Sequence, residues 1–468
     1  MSFIPYPFQA EAVAEIDRFG GRALLAHDMG LGKSATSLLW LAENRSALPA
    51  IVVCPASLKV NWQREALAHF GMRSEVLEGT KPRGPALSGN APLTIVNYDI
   101  LRPWMDHLRG LQPGLIIVDE VQNAKNPKAK RTKAIRELCD GVPHVLALSG
   151  TPLVNRPAEL FPILNVLNRE AFPSFWKYAF DHCNPTHGRF GWDWSGTNDL
   201  PGLHRKLLRT CMSRRRKADV LHDLPAKRRI VLPIGLPQEG TEEYRRASLD
   251  ILGWLRDRGR STVGAKKAEA VVKLGHLKRL AARLKLPAVL EWVDGFLDGG
   301  DKLILFAIHK DVVRAIADRY GGRAVSLTGD TAPKDRQRAI DAFNGDDRVR
   351  LFVGNVQAAG AGWSATSCST VAFAELPWTP GEVSQATDRV HGIKRGIEGE
   401  ISTAYFLVAH GTIEADLCEV IQRKQGTLEA TLDGTAGDGT GLDVFDELCR
   451  TLEEREAIER REGEPSCK

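Results

Sequence analysis

Short apolar runs alternate with amphipathic stretches up to about residue 225: Ala50-Ile51-Val52-Val53-Cys54, Leu93-Thr94-Ile95-Val96, Leu115-Ile116-Ile117-Val118 and His144-Val145-Leu146-Ala147-Leu148. Such runs predict buried strands, and their alternation with helical stretches predicts a parallel α/β sheet over 1–225, with a helical insertion near 160–225. A basic, helical connecting section is expected over 226–284. A second α/β set follows over 285–434, carried by Lys302-Leu303-Ile304-Leu305-Phe306, Val325-Ser326-Leu327, Arg350-Leu351-Phe352-Val353 and Val371-Ala372-Phe373-Ala374. Thr435-Ala436-Gly437-Asp438-Gly439-Thr440-Gly441 reads as a flexible linker to a charged helix, so 435–468 stand apart. No repeat at a solenoid period is visible.

Composition narrows the class without naming a chemistry. The 468 residues are 43% apolar and 26% charged, ordinary for a globular protein of two or three domains. No apolar stretch approaches a spanning helix, and Met1-Ser2-Phe3-Ile4-Pro5 lacks the pattern of a signal peptide. A cytoplasmic protein of bacterial or bacteriophage-like source is expected. The 8 cysteines lack a Cys-x-x-Cys pair, which argues against a disulfide framework. His182, Cys183 and His187 read as polar surface residues near Pro185 and Gly188 in preference to a zinc site.

The net charge of +5 is less informative than its clustering. Lys125, Lys128, Lys130, Arg131 and Lys133 form one basic run, Arg214-Arg215-Arg216-Lys217 a second and Lys227-Arg228-Arg229 a third. Each is either a solvated face or a set of contacts to a phosphate backbone.

Candidate chemistry is concentrated in Leu24-Leu25-Ala26-His27-Asp28-Met29-Gly30-Leu31-Gly32-Lys33-Ser34, at a strand-to-helix junction. It reads as a phosphate loop: Gly30 and Gly32 let backbone N–H groups close on phosphate oxygens, Lys33 reaches the β and γ phosphates, and Ser34 is a Mg²⁺ ligand. His27 stands where the usual pattern has a glycine. The apolar run Leu115 to Val118 ends in Asp119-Glu120, a Walker B arrangement in which Asp119 holds the metal and Glu120 orients or deprotonates water.

The ordered motifs resemble those of superfamily-two DNA motors, specifically the Swi/Snf-type ATPases and their HARP-like annealing-helicase branch, over roughly residues 5 to 430. Pro7-Phe8-Gln9 is similar to the adenine-reading Q motif, Cys54-Pro55-Ala56-Ser57-Leu58 with Asn61-Trp62 to motif Ia, and Asn97-Tyr98 to the next strand-end motif. Asp119-Glu120-Val121-Gln122 occupies the DEAH-box position, followed by Asn123-Ala124-Lys125-Asn126. Ser149-Gly150-Thr151-Pro152 resembles motif III, and Arg214 to Lys217 leading to Asp219-Val220-Leu221 and Leu224-Pro225-Ala226-Lys227 resembles a remodeller signature. In the second half, Leu327-Thr328-Gly329-Asp330 with Arg336-Gln337 resembles a lobe-two motif and Ala358-Ala359-Gly360-Ala361-Gly362 motif V. Trp378-Thr379-Pro380-Gly381 resembles the tryptophan loop, and Gln385 to Arg395 motif VI.

The resemblance implies an α/β protein of two RecA-like parallel-sheet lobes with a nucleotide cleft between them, plus helical insertions. It implies ATP and Mg²⁺ as cofactors and DNA as partner, whether duplex, forked or single-stranded, with no membrane. Lys33, Glu120 and Arg389 are then catalytic. Gln9, Asp28, Met29, Gly30, Leu31, Gly32, Lys33, Ser34, Gly362, Gln385 and Arg389 bind ATP, and Ser34 and Asp119 hold the metal. Pro55, Ser57, Asn61, Asn97, Lys125 and Trp378 are candidates for DNA contact. The second arginine of motif VI is Gly392 here, with Lys394 and Arg395 close enough in sequence to substitute. Trp62, Trp363 and Trp378 either pack or meet DNA, whereas Trp40 and Trp292 read as packing residues. The implied function is ATP-dependent translocation with remodelling or annealing; a strand-separating helicase and a nucleotide-gated DNA-binding scaffold are the alternatives.

Overall fold

In the computed structural model, residues 3–80, 91–150, 152, 156–188, 191–194, 196–221, 227–257, 265–359, 363, 365–391, 401–433 and 448 are described. The chain forms two compact units, the first built mainly from Met1–His187 with Trp192–Leu224 and the second mainly from Pro225–Gly426.

The first unit, lobe 1, is built on strands β1 (Arg22–Leu25), β2 (Ala50–Cys54), β3 (Ser74–Val76), β4 (Leu93–Asn97), β5 (Leu115–Asp119) and β6 (His144–Leu148). A small hairpin of β7 (Thr186–Gly188) and β8 (Gly191–Asp193) precedes β9 (Met212–Ser213). The main sheet is parallel throughout, in the order β3-β4-β2-β5-β6-β1-β9. Its central strands are apolar along most of their length because both faces are covered. On β5, Ile116 and Val118 join the core of Ile51, Val53, Trp104 and Leu138, while Leu115 and Ile117 join that of Leu38, Trp40, Trp62 and Leu148. Full burial of each such side chain contributes about 1.5–3 kcal/mol. Flanking helices include α1 (Pro7–Arg18), α2 (Lys33–Glu43) and α3 (Lys59–Phe70).

Lobe 2 repeats the architecture with β10 (Lys227–Ile234), β11 (Leu303–Ala307), β12 (Ala324–Leu327), β13 (Leu351–Asn355), β14 (Thr370–Phe373) and β15 (Ser402–Ala409). The sheet is parallel, in the order β10-β15-β14-β11-β13-β12. Ile304 and Phe306 face one core, with Phe343, Phe352 and Phe373, and Leu303 and Leu305 face the other, with Val293 and Ile316.

Two sequence expectations change. Residues 227–234 do not belong to a helical connection: they form the edge strand of lobe 2, paired residue for residue with β15. Its first residues, Lys227 to Arg229, are exposed, as an edge strand permits, and the partner that makes it a strand lies far along the chain. His182 and Cys183 are buried, not surface residues, because they end the helix Phe175–His182 whose Tyr178 and Ala179 enter the core. Among the described residues no helix is long and apolar enough to cross a membrane. The linker and charged helix expected over 435–468 lie outside the described residues, except Leu448.

The long helix Ala265–Asp298 lies against the second sheet, and its Lys285 enters the interior. The ammonium pairs with Glu414 at 2.5 Å, with side chains 1% and 0% exposed, and also donates to the Leu407 carbonyl. Glu414→Leu alone strands that charge and should cost about 3–5 kcal/mol, whereas Lys285→Met with Glu414→Leu should recover most of it. Native-state hydrogen exchange of β11 and β15 amides measures both.

Candidate active site

β1 delivers the chain into the candidate phosphate loop, and α2 begins at Lys33. Gly30 (φ 81°) and Gly32 (φ 71°) occupy the left-handed region, where L side chains are strained. A Cβ on Gly32 would lie 2.6 Å from Gln9 Nε2, so Gln9 of α1 closes that side of the loop. Gln9 is buried, accepts from the Tyr6 amide at 3.0 Å and directs its Nε2 at the Leu31 carbonyl, 3.5 Å away.

His27 is fully buried with Nε2 2.9 Å from Ser213 Oγ of β9. Burial, then the charges of Lys33, Arg215 and Arg214, hold its pKa well below the ordinary histidine value. It is therefore a neutral wedge that ties the loop's entrance to the neighbouring strand, in place of glycine's close approach. The Lys33 ammonium spans the loop, donating to the His27 carbonyl at 2.9 Å and the Asp28 carbonyl at 3.2 Å, with Met29 Sδ at 3.7 Å. Ser34 is half-buried in the first turn of α2. Exposed amides at such a helix start favour anions.

Asp119 and Glu120 stand at the carboxyl end of β5, both buried. Asp119 Oδ2 accepts from the Trp62 indole at 2.8 Å and Oδ1 from the Glu120 amide at 2.9 Å, while its carbonyl accepts from the Tyr98 hydroxyl at 2.6 Å. Burial, and then the Glu120 charge, push the Asp119 carboxyl up to about 7. Glu120 is held in the left-handed region (φ 51°, ψ 54°), with its carbonyl bound by the Asn123 side chain at 2.9 Å. Gln122 connects the two motifs at this rim: its Nε2 donates to Glu120 Oε2 at 2.6 Å, and its Oε1 accepts from Ser149 Oγ, just after β6, at 2.7 Å.

The second basic run turns inward. The Arg214 guanidinium donates to Asp28 Oδ1 and to the Ala26 carbonyl, each at 2.7 Å, and the Lys217 amide donates to Asp28 Oδ2 at 2.9 Å. Arg215 reaches Glu11 and Glu15 of α1 at 3.3 and 3.1 Å, and Arg216 pairs with Asp219 at 2.7 Å. This run braces the phosphate loop against α1. Lys128, Lys130, Arg131 and Lys133 of the first run are exposed, and half-buried Lys125 lies 3.5 Å from Glu159.

The remaining lobe 1 DNA candidates follow or end strands on the carboxyl rim of the sheet. Ser57 is exposed, Pro55 and Asn61 are half-buried, and Asn97 is buried with Nδ2 3.4 Å from Asp99. In lobe 2, Trp378 is half-buried with the Lys278 ammonium 4.2 Å from its ring centroid. Arg389 is buried, and its guanidinium donates to the Gln385 carbonyl at 3.0 Å and to that of Trp363. Gly362, Gly392, Lys394 and Arg395 lie outside the described residues. Sequence reasoning missed Trp62 as a donor to Asp119, Arg214 as a partner of Asp28, and Gln122 as a bridge. The Trp62–Asp119, Arg214–Asp28 and Gln122–Ser149 contacts join positions brought together only by strand order, whereas Gln122–Glu120 is local. The adjacency of Asn61-Trp62 to motif Ia was the signal available for Trp62.

Residues 16–284 match the SNF2-related domain family, and residues 285–394 the helicase conserved C-terminal domain. The chain is 33% identical over 431 residues to the Xenopus tropicalis SWI/SNF-related matrix-associated actin-dependent regulator of chromatin subfamily A-like protein 1, covering 89% of this chain and 44% of that protein. It is 30% identical over 446 residues to the mouse DNA annealing helicase and endonuclease ZRANB3, covering 92% and 41%. Thus the chain spans less than half the length of these two relatives. The Sulfolobus solfataricus SWI2/SNF2 ATPase core in complex with dsDNA aligns over 92% of this chain and 94% of its own, at 23% identity and TM-score 0.41. Both curated relatives are animal proteins and lend no support to the bacterial or bacteriophage-like source expected from the sequence.

The Arg214 bracing is directly testable. A hydrogen bond to a charged group is worth about 1.5–3 kcal/mol. Arg214→Ala should therefore weaken binding of a fluorescent ADP about tenfold or more in a fluorescence titration, with little change in the salt slope of DNA binding. A reduced salt slope with unchanged nucleotide affinity would instead make Arg214 a phosphate-backbone contact.

Proposed function

The chain belongs to the SNF2-related family, and on that premise we propose that it is a DNA-dependent ATPase that couples ATP hydrolysis to translocation on duplex or branched DNA, remodelling or annealing it. The observation that carries this reading is a convergence in one sheet: the phosphate loop follows β1, Ser149 follows β6, and Asp119 with Glu120 ends β5, in the neighbouring order β5-β6-β1. Parallel strands present these ends on one rim, where open α/β sheets bind ligands. The mouse relative named a DNA annealing helicase supports the DNA side of the proposal.

The donor set fits Mg²⁺. Among the described residues no three His, Cys, Asp or Glu side chains gather as a metal cage, and Mg²⁺ is ordinarily held by one or two carboxylates together with substrate phosphates. Asp119 and the Ser34 hydroxyl are the residues proposed to hold it. When bound, Mg²⁺ neutralises charge on the phosphate oxygens. Lys33 offsets the β and γ phosphates, and Glu120 takes the proton of the attacking water. Gln122 ties the position of Glu120 to Ser149, giving the hydrolytic carboxylate a link to the following strand end. Arg389 is the proposed source of positive charge for the γ phosphate in the transition state, the role of an arginine finger. Exposed Lys128, Lys130 and Arg131 are proposed to follow the DNA backbone without reading sequence.

Glu120→Gln should bind ATP yet lose about 10²–10⁴-fold in DNA-stimulated turnover, the usual weight of a general base. Steady-state phosphate release against single-stranded, duplex and forked DNA tests this; normal turnover in the variant would place the base elsewhere. Translocation should appear as ATP-dependent displacement of the third strand of a triplex, with DNA affinity falling steeply with salt. Opening of a tailed duplex without triplex displacement would favour a strand-separating helicase. ATP-dependent DNA binding without DNA-stimulated hydrolysis would favour a nucleotide-gated scaffold.

A further inference from the structure

Trp62 is 1% exposed and sits on the first turn of α3, in the core with Leu58, Ala66 and Leu148. An indole buried in an apolar core keeps its N–H satisfied, and here the acceptor is a carboxylate 57 positions away, Asp119 Oδ2 at 2.8 Å. Among the described residues it is the only side-chain donor to that carboxylate. The other oxygen accepts the Glu120 amide at 2.9 Å, so one donor grips each oxygen and the plane of the carboxylate is fixed. A carboxylate has about four lone-pair directions, and two donors leave sites open on both oxygens. The Tyr98 hydroxyl holds the Asp119 carbonyl on the backbone side, so the indole is the side-chain group that, with the Glu120 amide, sets the carboxylate.

We propose that Trp62 is a positioning residue for the metal: its indole N–H holds the Asp119 carboxylate in the orientation that binds Mg²⁺. The proposal rests on the reading of Asp119 as a metal ligand. It assigns Trp62 to the nucleotide side of lobe 1, away from the DNA contact that its motif position suggests. Partners that orient a metal ligand in this way are typically worth about 10–100-fold in metal affinity.

The test uses the full chain and binding of a fluorescent ADP, titrated with and without Mg²⁺. Two variants are compared: Trp62→Phe, and replacement of Trp62 alone by 3-benzothienylalanine, which exchanges the N–H for sulfur at nearly constant ring volume. In both, the Mg²⁺ concentration needed for half of the metal-dependent tightening should rise about 10–100-fold. Mg²⁺-free ADP affinity and duplex DNA affinity should stay within about twofold, since neither draws on the indole–carboxylate bond. The benzothienyl chain keeps the core filled, so it carries the test if Trp62→Phe fails to fold. An unchanged Mg²⁺ requirement in that chain overturns the proposal, as does an equal loss of Mg²⁺-free ADP binding, which would mark a packing role. Asp119→Ala separates the two readings: if it too leaves the Mg²⁺ requirement unchanged, Asp119 is not the metal ligand and the parent assignment fails.

Discussion

A carboxylate at the buried end of an apolar strand is costly unless donors meet it, and Asp119 presents that constraint to the whole of lobe 1. The indole of Trp62, from α3, and the amide of Glu120, from the turn after β5, meet the carboxylate, and the Tyr98 hydroxyl, from the turn after β4, holds the residue's carbonyl. Keeping them in place requires β4, β2 and β5 to hold their register, so the apolar packing of the sheet and the polarity of its rim stabilise one arrangement. Glu120 adds a second carboxylate beside the first; Asn123 holds its left-handed backbone and Gln122 its side chain. Strain of this kind persists where the surroundings over-determine it.

The same logic explains why a basic run became scaffold. The phosphate loop needs positive φ at Gly30 and Gly32, a conformation that its buried Met29 and Leu31 do not by themselves dictate. Asp28 supplies the handle: both of its carboxylate oxygens are engaged by the segment that follows β9. Arg215 then extends the brace to α1, whose Gln9 closes on the loop from the other side. A charge cluster that composition alone presents as a polyanion surface is thus consumed within lobe 1, whereas Lys128, Lys130 and Arg131 remain exposed.

Lobe 2 meets its polar demands differently. Lys285 and Glu414 neutralise each other inside the core, and Glu414 also accepts the Ala409 amide at 3.0 Å, fixing the end of β15 against the helix Ile413–Asp433. Arg389 is turned to backbone carbonyls of its own lobe. These two bonds use the Nε and one Nη1 hydrogen of a five-donor guanidinium and orient it within the lobe.

Strands such as Ala50–Cys54, Leu115–Asp119 and Leu303–Ala307 were legible in the sequence because a strand buried on both faces is apolar along nearly its whole length. The phosphate loop and the Asp119-Glu120 pair were legible too, since their chemistry is local and fixes residue types at short spacing. Lys227–Ile234 was not, because an edge strand carries charge and owes its identity to pairing with residues 402–409. Nor did spacing reveal that Trp62 serves Asp119 or that Arg214 serves Asp28. Those contacts depend on strand order and side-chain direction, which only packing decides. The sequence by itself determined which groups are present at the rim and in what order along the chain. Tertiary structure alone decided which of them hold one another, because the free energy of a buried charge is set by the donors that surround it.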